Sequence, residues 1–355
     1  MRFVSPFLKN VVYPMLSAAG YLRRHALGPL CILTYHGVRP SGYVSTDRLL
    51  DGGLVSPENF RAQLRLLKTH YHVISPEVFR ACLREGKSFP QLSILLTCDD
   101  GLQNVLSDML PILQQEGLCC LFFVTGASAG DIPGMLWYEE LYLLLKSAPP
   151  GPISIDEAGM EAICERDSER RKFWWQLVAD LSGRDEQARD RLLCGFRTKL
   201  SGKENLEEKL RRNEPTFRRF FLLTAADLRK LSVEGMTIGA HTLHHPLLAK
   251  VPDACVETEI SDSRALLERV VENEIWAFAY PFGNPGSFSG RETKIAEKTF
   301  TCAFANFGGG FGAELPRFAL PRVHVTADMN LGEFEAHVSG VYRRLQAHTM
   351  AGART

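Results

Sequence analysis

Short apolar runs alternate with amphipathic segments along the first third of the chain. Cys31–Tyr35 (CILTY) and Ser93–Cys98 (SILLTC) are uninterrupted and β-prone, the pattern of strands buried on both faces. Cys119–Thr125 (CCLFFVT) repeats it. Between these runs, Ser56-Pro57-Glu58 is followed by Phe60, Leu64 and Leu67, which predicts a capped amphipathic helix. A second helix is predicted over Leu106–Glu116, stopping at Gly117. Further on, Thr224 with Asp227 three positions later marks a helix start, ending near Gly235 before a strand Met236–Ala240. A helix over Val256–Val270 and a strand Trp276–Tyr280 complete the series. Strand, helix, strand with short connections predicts parallel βαβ units.

Two stretches break this rhythm. Residues 153–214 are rich in Arg, Glu and Asp, with Phe173, Trp174, Leu177, Leu181, Leu192 and Leu193 at helical spacing. They predict a helical insertion, about 150–222, between barrel units. The first 27 residues form a basic and apolar segment, with the run Val11–Gly20 interrupted by Pro14. A bilayer span needs roughly 20 apolar residues, so this run is too short to cross one. It reads as a helix packed on the domain, with a segment lying on an anionic membrane surface and an export leader as the alternatives. A main domain is expected over 28–345 and a flexible tail over 346–355.

Composition narrows the function. Lys plus Arg (41) balances Asp plus Glu (41), which gives no basic footprint for nucleic acid. The nine cysteines are odd in number and contain no CxxC pair, and Cys31, Cys98, Cys119 and Cys120 fall in apolar runs, so reduced buried thiols are expected rather than disulfides. A cytoplasmic location follows as the expectation, with membrane association through the basic first segment and export as the alternatives.

Two motifs carry candidate chemistry. Asp99-Asp100-Gly101 follows directly on an apolar strand, where adjacent carboxylates must each be solvated or paired. A divalent cation would resolve this by binding one and leaving the other free as a base, with Gly101 allowing the sharp exit turn. Far downstream, His241-Thr242-Leu243-His244-His245-Pro246 places His241 and His245 four apart, close enough to aim at one ion. Both motifs follow predicted strands, and in an α/β barrel such ends converge on one face.

Asp-Asp-Gly after a strand with His-Thr-x-x-His-Pro downstream resembles the polysaccharide deacetylase family, also called NodB-homology or carbohydrate esterase family 4. The resemblance runs from Tyr35-His36 to about Val325 and implies an α/β fold, a distorted (β/α) barrel with one metal at its mouth. It implies Asp100, His241 and His245 as metal ligands and Asp99 as general base, with His244 outside the motif, structural or exposed. Phe278-Ala279-Tyr280-Pro281-Phe282-Gly283 is similar to the family's third motif, which puts the oxyanion-holding backbone N–H on Phe282. That motif's arginine falls on Ala279 and is missing, and Arg322 is the candidate substitute. Tyr35-His36-Gly37-Val38 resembles the early motif of poly-N-acetylglucosamine deacetylases, which makes His36 the expected acid and His324 the fallback. Trp137-Tyr138 and Phe282 are candidates for a sugar-stacking wall, or else Trp137 and Tyr138 anchor the insertion.

The function so implied is removal of N-acetyl groups from amino sugars of a glycan or a lipid-linked saccharide. Zinc is the default metal for two histidines and a carboxylate, with Co2+, Ni2+ or Fe2+ fitting the same donors. The rival readings are an amidohydrolase of a small metabolite, expected to show a closed deep pocket, and a catalytically weak glycan-binding protein, supported by the missing arginine.

Overall fold

A computed structural model describes residues 5–45, 47–155, 159–200, 205–307 and 316–343. Its strands are β1 (Leu30–Tyr35), β2 (His72–Ile74), β3 (Ser93–Cys98), β4 (Leu121–Val124), β5 (Pro152–Ile155), β6 (Met160–Ile163), β7 (Thr237–Ala240), β8 (Ala277–Ala279), β9 (Cys302–Phe304) and β10 (Val323–His324). Eight of them form one parallel sheet in the order β10-β1-β3-β4-β7-β8-β9, with β2 on the first half of β3. A further parallel bridge, Phe304 to Leu320, ties the end of β9 to the chain entering β10 and curls the sheet toward closure. This is the distorted (β/α) barrel that the family resemblance implies, built from the parallel βαβ units that the sequence pattern predicts.

The helices between strands start and stop where their local chemistry requires. Ser56 accepts the Asn59 N–H to cap Pro57–His70, and Thr224 with Asp227 forms a reciprocal box at Ala225–Val233. Gly117, at φ 66°, ends the helix Leu110–Glu116. The segment predicted as one helix over Val256–Val270 starts earlier, at Asp253, and carries a π turn at Thr258–Asp262 before Ser263–Val271.

Strand alternation sorts the barrel into two cores. Cys31, Leu33, Ile94, Leu96, Phe122, Ile238 and Phe278 face the helices. Leu30, Ile32, Leu95, Leu121, Phe123, Ala277, Ala279, Cys302 and Phe304 fill the interior. Because side chains alternate with period two, the inward series continues past the strand ends. Leu95 and Thr97 lead to Asp99, Gly239 leads to His241, and Thr34 leads to His36. Parallel strands end on one side, so these side chains meet at one mouth.

The insertion is not wholly helical. It opens with the antiparallel hairpin β5–β6, then runs through helices Asp167–Ser182, Glu186–Leu200, Leu206–Arg212 and Glu214–Phe220. The hairpin went unread because helical spacing is strong only from Phe173 onward. The insertion shares a separate apolar cluster with the helix Trp137–Ser147, built on Tyr142, Leu144, Phe173, Trp174, Leu177 and Leu181.

At the other flank, residues 6–18 are helical, with a π turn at Leu8–Val12. Leu8, Tyr13, Leu16 and Leu22 pack on Ala336, Val341 and Tyr342, beside the helix Leu331–Val338. The two helices approach so closely that a Cβ on Gly332 would lie 2.5 Å from the Pro14 nitrogen. The tail expected over 346–355 lies outside the described residues.

Candidate active site

The inward-facing residues at the barrel mouth line a cleft of about 260 Å³. His36, Asp99, Asp100, His241, His245, Phe282 and His324 all contribute to its wall. Seven of the eight residues singled out in the sequence thus share one surface, and the eighth, Arg322, lies directly behind Asp99.

Asp100, His241 and His245 form the compact triad. One donor atom from each falls within 4.8 Å of the others, and all three side chains are buried. Asp100 Oδ1 lies 3.4 Å from His245 Nε2 and 3.7 Å from His241 Nε2. His241 Nδ1 donates to the Ala279 carbonyl at 2.7 Å, which leaves its Nε2 lone pair directed at Asp100. Burial lowers the His241 pKa to about 4, so this ring is neutral and available as a ligand at pH 7. Burial opposes ionisation of Asp100, but the His245 hydrogen bond and the surrounding imidazoles hold its carboxyl below the usual range. The result is a buried carboxylate with no Lys or Arg partner among the described residues, facing imidazole nitrogens. A buried charge needs compensation, and this donor set suits one divalent cation. The residues fit a metal.

Asp99 is handled differently. Arg322 grips it with two parallel bonds, Nη1 to Oδ1 and Nη2 to Oδ2, both 2.7 Å. Arg322 is itself fixed by Thr97 Oγ1 (3.0 Å) and the Ala305 carbonyl (2.9 Å), between the rings of Phe123 and Phe304. Burial would raise the Asp99 pKa, but the guanidinium keeps it below its ordinary value, so Asp99 stays ionised. Ala279, the position of the missing motif arginine, packs in the same barrel interior. The guanidinium therefore arrives from the strand entering β10 instead of from β8.

His36 and His324 both line the cleft, with ring centroids 4.7 Å apart and planes tilted by 30°. Gly53 lies under His36: a Cβ there would come within 3.2 Å of the His36 Cβ. His36 Nδ1 is buried and has no hydrogen-bond partner among the described residues. His324 is open to the cleft but ringed by protein, and desolvation with the neighbouring His36 pushes its pKa down.

The backbone here is strained into place. Six non-glycine residues of the described chain have left-handed φ, and four of them, Asp100, Thr242, His245 and Phe282, lie at this mouth. Thr242 Oγ1 accepts the His245 N–H at 3.0 Å and so closes the histidine loop on itself. The Phe282 N–H has no partner among the described residues.

Sequence reading missed how much the insertion and the helix Trp137–Ser147 brace this loop. Trp137 Nε1 donates to the carbonyls of His244 (2.9 Å) and His245 (3.3 Å), and Ser182 Oγ accepts the Leu247 N–H. Trp137 therefore does not belong to a sugar-stacking wall; it is buried beneath the loop. His244, half-buried, bridges Glu259 (2.8 Å) and Glu186 of the insertion (3.0 Å). Tyr138 does face the cleft, its ring 4.8 Å from His245 and 5.3 Å from Phe282. The aromatic wall is completed by Trp174 and Trp175, the latter 44% exposed and 5.6 Å from Phe282. Arg219, also unforeseen, ties Glu139 of the Trp137 helix to Asp51 and the Leu50 carbonyl at the opposite rim. Adjacent aromatics at 174–175 were visible in sequence, but helical spacing assigned them to a core.

Comparison with known proteins agrees with this geometry. The polysaccharide deacetylase family model matches residues 203–299, a stretch that contains His241, His245 and Phe282. That stretch is similar to the polysaccharide deacetylase family. YxkH of Bacillus subtilis (strain 168), named for the same family, is 24% identical over 120 residues, 34% of this chain and 42% of that protein. The match thus spans less than half of that relative's length. Among solved structures, IcaB from Ammonifex degensii superposes with TM-score 0.54 at 16% identity, covering 88% of this chain and 97% of the other. The Streptococcus pyogenes deacetylase PplD in complex with acetate gives TM-score 0.53 at 17% identity, covering 87% and 97%. These likenesses are of fold, and they extend across nearly the whole of both structures.

Proposed function

We propose that the protein is a metal-dependent N-deacetylase of amino sugars in a glycan or a lipid-linked glycan precursor. The observation that carries this reading is the pairing of two differently treated carboxylates. Asp100 faces two imidazole nitrogens and has no Lys or Arg partner among the described residues, while its neighbour Asp99 is held ionised by Arg322 and left outside that triad.

Asp100, His241 and His245 would hold the ion, zinc by default, with Co2+, Ni2+ or Fe2+ as alternatives. When bound, such an ion polarises an amide carbonyl and lowers the pKa of water. The chain's own residues do the rest. Asp99 accepts the proton of the attacking water at a carboxylate oxygen, and Arg322 keeps that oxygen oriented through the transfer. The Phe282 N–H, unpaired in the described chain, is available to the oxyanion that develops on the acyl carbon. His36 supplies the proton that lets the amine leave; His324, whose ring is driven toward neutrality, is the fallback. Tyr138, Trp174 and Trp175 offer flat apolar faces for sugar rings beside these groups.

The exposed Trp175 at the rim favours an extended glycan over a small metabolite, for which a closed pocket was expected. Arg322 on Asp99 counts against a catalytically weak binding protein, since the missing arginine was that reading's support. The decisive test incubates purified protein, with added zinc and after chelation, on short N-acetylglucosamine oligomers. Metal-dependent acetate release is expected; no release under any metal would overturn the proposal.

A further inference from the structure

The helix at residues 6–18 has two apolar faces, and only one of them packs on other described residues. Leu8, Tyr13 and Leu16 are packed inward. Phe7, Val11 and Met15, spaced four apart, form a stripe on the outer side with 64%, 40% and 66% of their surface exposed. Exposed Pro6, Ala18 and Ala19 extend it, and Asn10 is its polar interruption. The helix's single charge, Lys9, is drawn away from this face to Glu333 (3.0 Å) and Asp328 (3.3 Å). The outer face is therefore uncharged over its length.

The flank of the stripe is basic. No Asp or Glu occurs before Asp47, whereas Arg23, Arg24 and His25 follow the helix directly. Arg24 and His25 are exposed; Arg23 is partly engaged with Glu335 (3.1 Å). Of the acids paired with this segment, Glu333 and Glu335 are buried, and the exposed Asp328 is met by both Lys9 and Arg48 (3.4 Å). The same contact fixes direction: Arg48 sits beside Leu49 and Leu50, which line the cleft. The start of the helix thus adjoins the rim of the active-site mouth.

We infer that this face docks on an anionic lipid bilayer, with Phe7, Val11 and Met15 in the acyl boundary and Arg24 among the headgroups. Size argues for lipid over protein. Three partly exposed side chains on one helix offer on the order of 300 Å², far below the ~800 Å² per partner of a stable protein interface. A bilayer surface accepts a single narrow apolar stripe with a basic flank. No helix among the described residues is long and apolar enough to cross a membrane, so the mode is surface attachment. This inference does not depend on the chemistry of the cleft; if both hold, the mouth opens next to the membrane, where a lipid-linked saccharide would present itself.

The test is vesicle co-sedimentation of the full chain at low salt, using phosphatidylcholine vesicles with and without phosphatidylglycerol. The native protein should pellet with the mixed vesicles and bind pure phosphatidylcholine about tenfold less. The triple variant Phe7→Ser, Val11→Ser, Met15→Ser should lose binding by at least about tenfold while its circular dichroism and melting temperature stay native. Arg24→Glu should weaken binding to the mixed vesicles alone. Native protein that stays in the supernatant, or a triple variant that binds as well as native, overturns the inference. So would a native dimer that the triple variant converts to monomer without any vesicle binding, because the occupant would then be a second copy.

Discussion

The barrel mouth and the insertion build one site by opposite means. The mouth delivers charged and nitrogenous groups from strand ends: His36, Asp99 and His241 continue the inward series of their strands, and left-handed backbone at Asp100 and His245 brings those two in beside them. The insertion and the helix Trp137–Ser147 against it contribute to the cleft wall mainly aromatic faces, and behind that wall an indole N–H and a serine hydroxyl that hold the histidine loop in shape. Chemistry therefore resides on the rigid sheet, where position follows from backbone geometry. Support resides on the helices, where position follows from side-chain packing. Loss of a mouth residue should remove a step, whereas loss of an insertion residue should loosen one.

The largest expected effect is Asp100→Ala or His241→Ala. Either should abolish zinc binding by titration calorimetry and with it acetate release. Zinc should raise the melting temperature of the native chain and leave these variants unmoved. Asp99→Asn should bind zinc normally yet lower kcat about a thousandfold; full turnover would remove its role as base. Arg322→Ala leaves a buried carboxylate without its partner and should cost ~3–5 kcal/mol by denaturant midpoint. On the insertion side the effects should be graded instead of absolute. Trp137→Phe keeps the ring but deletes the bond to the histidine loop, so zinc affinity should fall by about 10–100-fold with little loss of stability. Trp175→Ala, the mildest, should raise KM for oligomers several-fold and leave metal binding and melting untouched. If Trp137→Phe matched Asp100→Ala in severity, the division between chemistry and support would fail.

The same division decides how much the sequence reveals. Asp99 and Asp100 are legible because SILLTC is a long apolar run, and whatever follows a buried strand must emerge at its end. His241 and His245 are legible through their spacing and their own preceding strand. By contrast β2, β9 and β10 span three, three and two residues, too short for a period to register. Arg322 could be proposed but not located, because its bond to Asp99 crosses 223 residues of sequence. Trp137 and Trp174 look alike in a helical pattern; only packing sends one under a loop and the other toward a cleft. The hairpin β5–β6 hides because each strand is only four residues long and a charge-rich tract follows.

The left-handed residues also bear on attempts to harden this protein against heat. Replacing such residues with glycine is a standard way to relax a backbone, and six candidates stand out by conformation alone. At Asp100, Thr242, His245 and Phe282 that remedy would erase the side chain the site is built from. Glu272 has no such duty: it is exposed and ends the helix Ser263–Val271 in the left-handed conformation. Glu272→Gly should raise stability by about 1 kcal/mol and leave the cleft alone. Tolerance to engineering is thus unevenly distributed, and the strained positions nearest the chemistry are the ones to leave as they are.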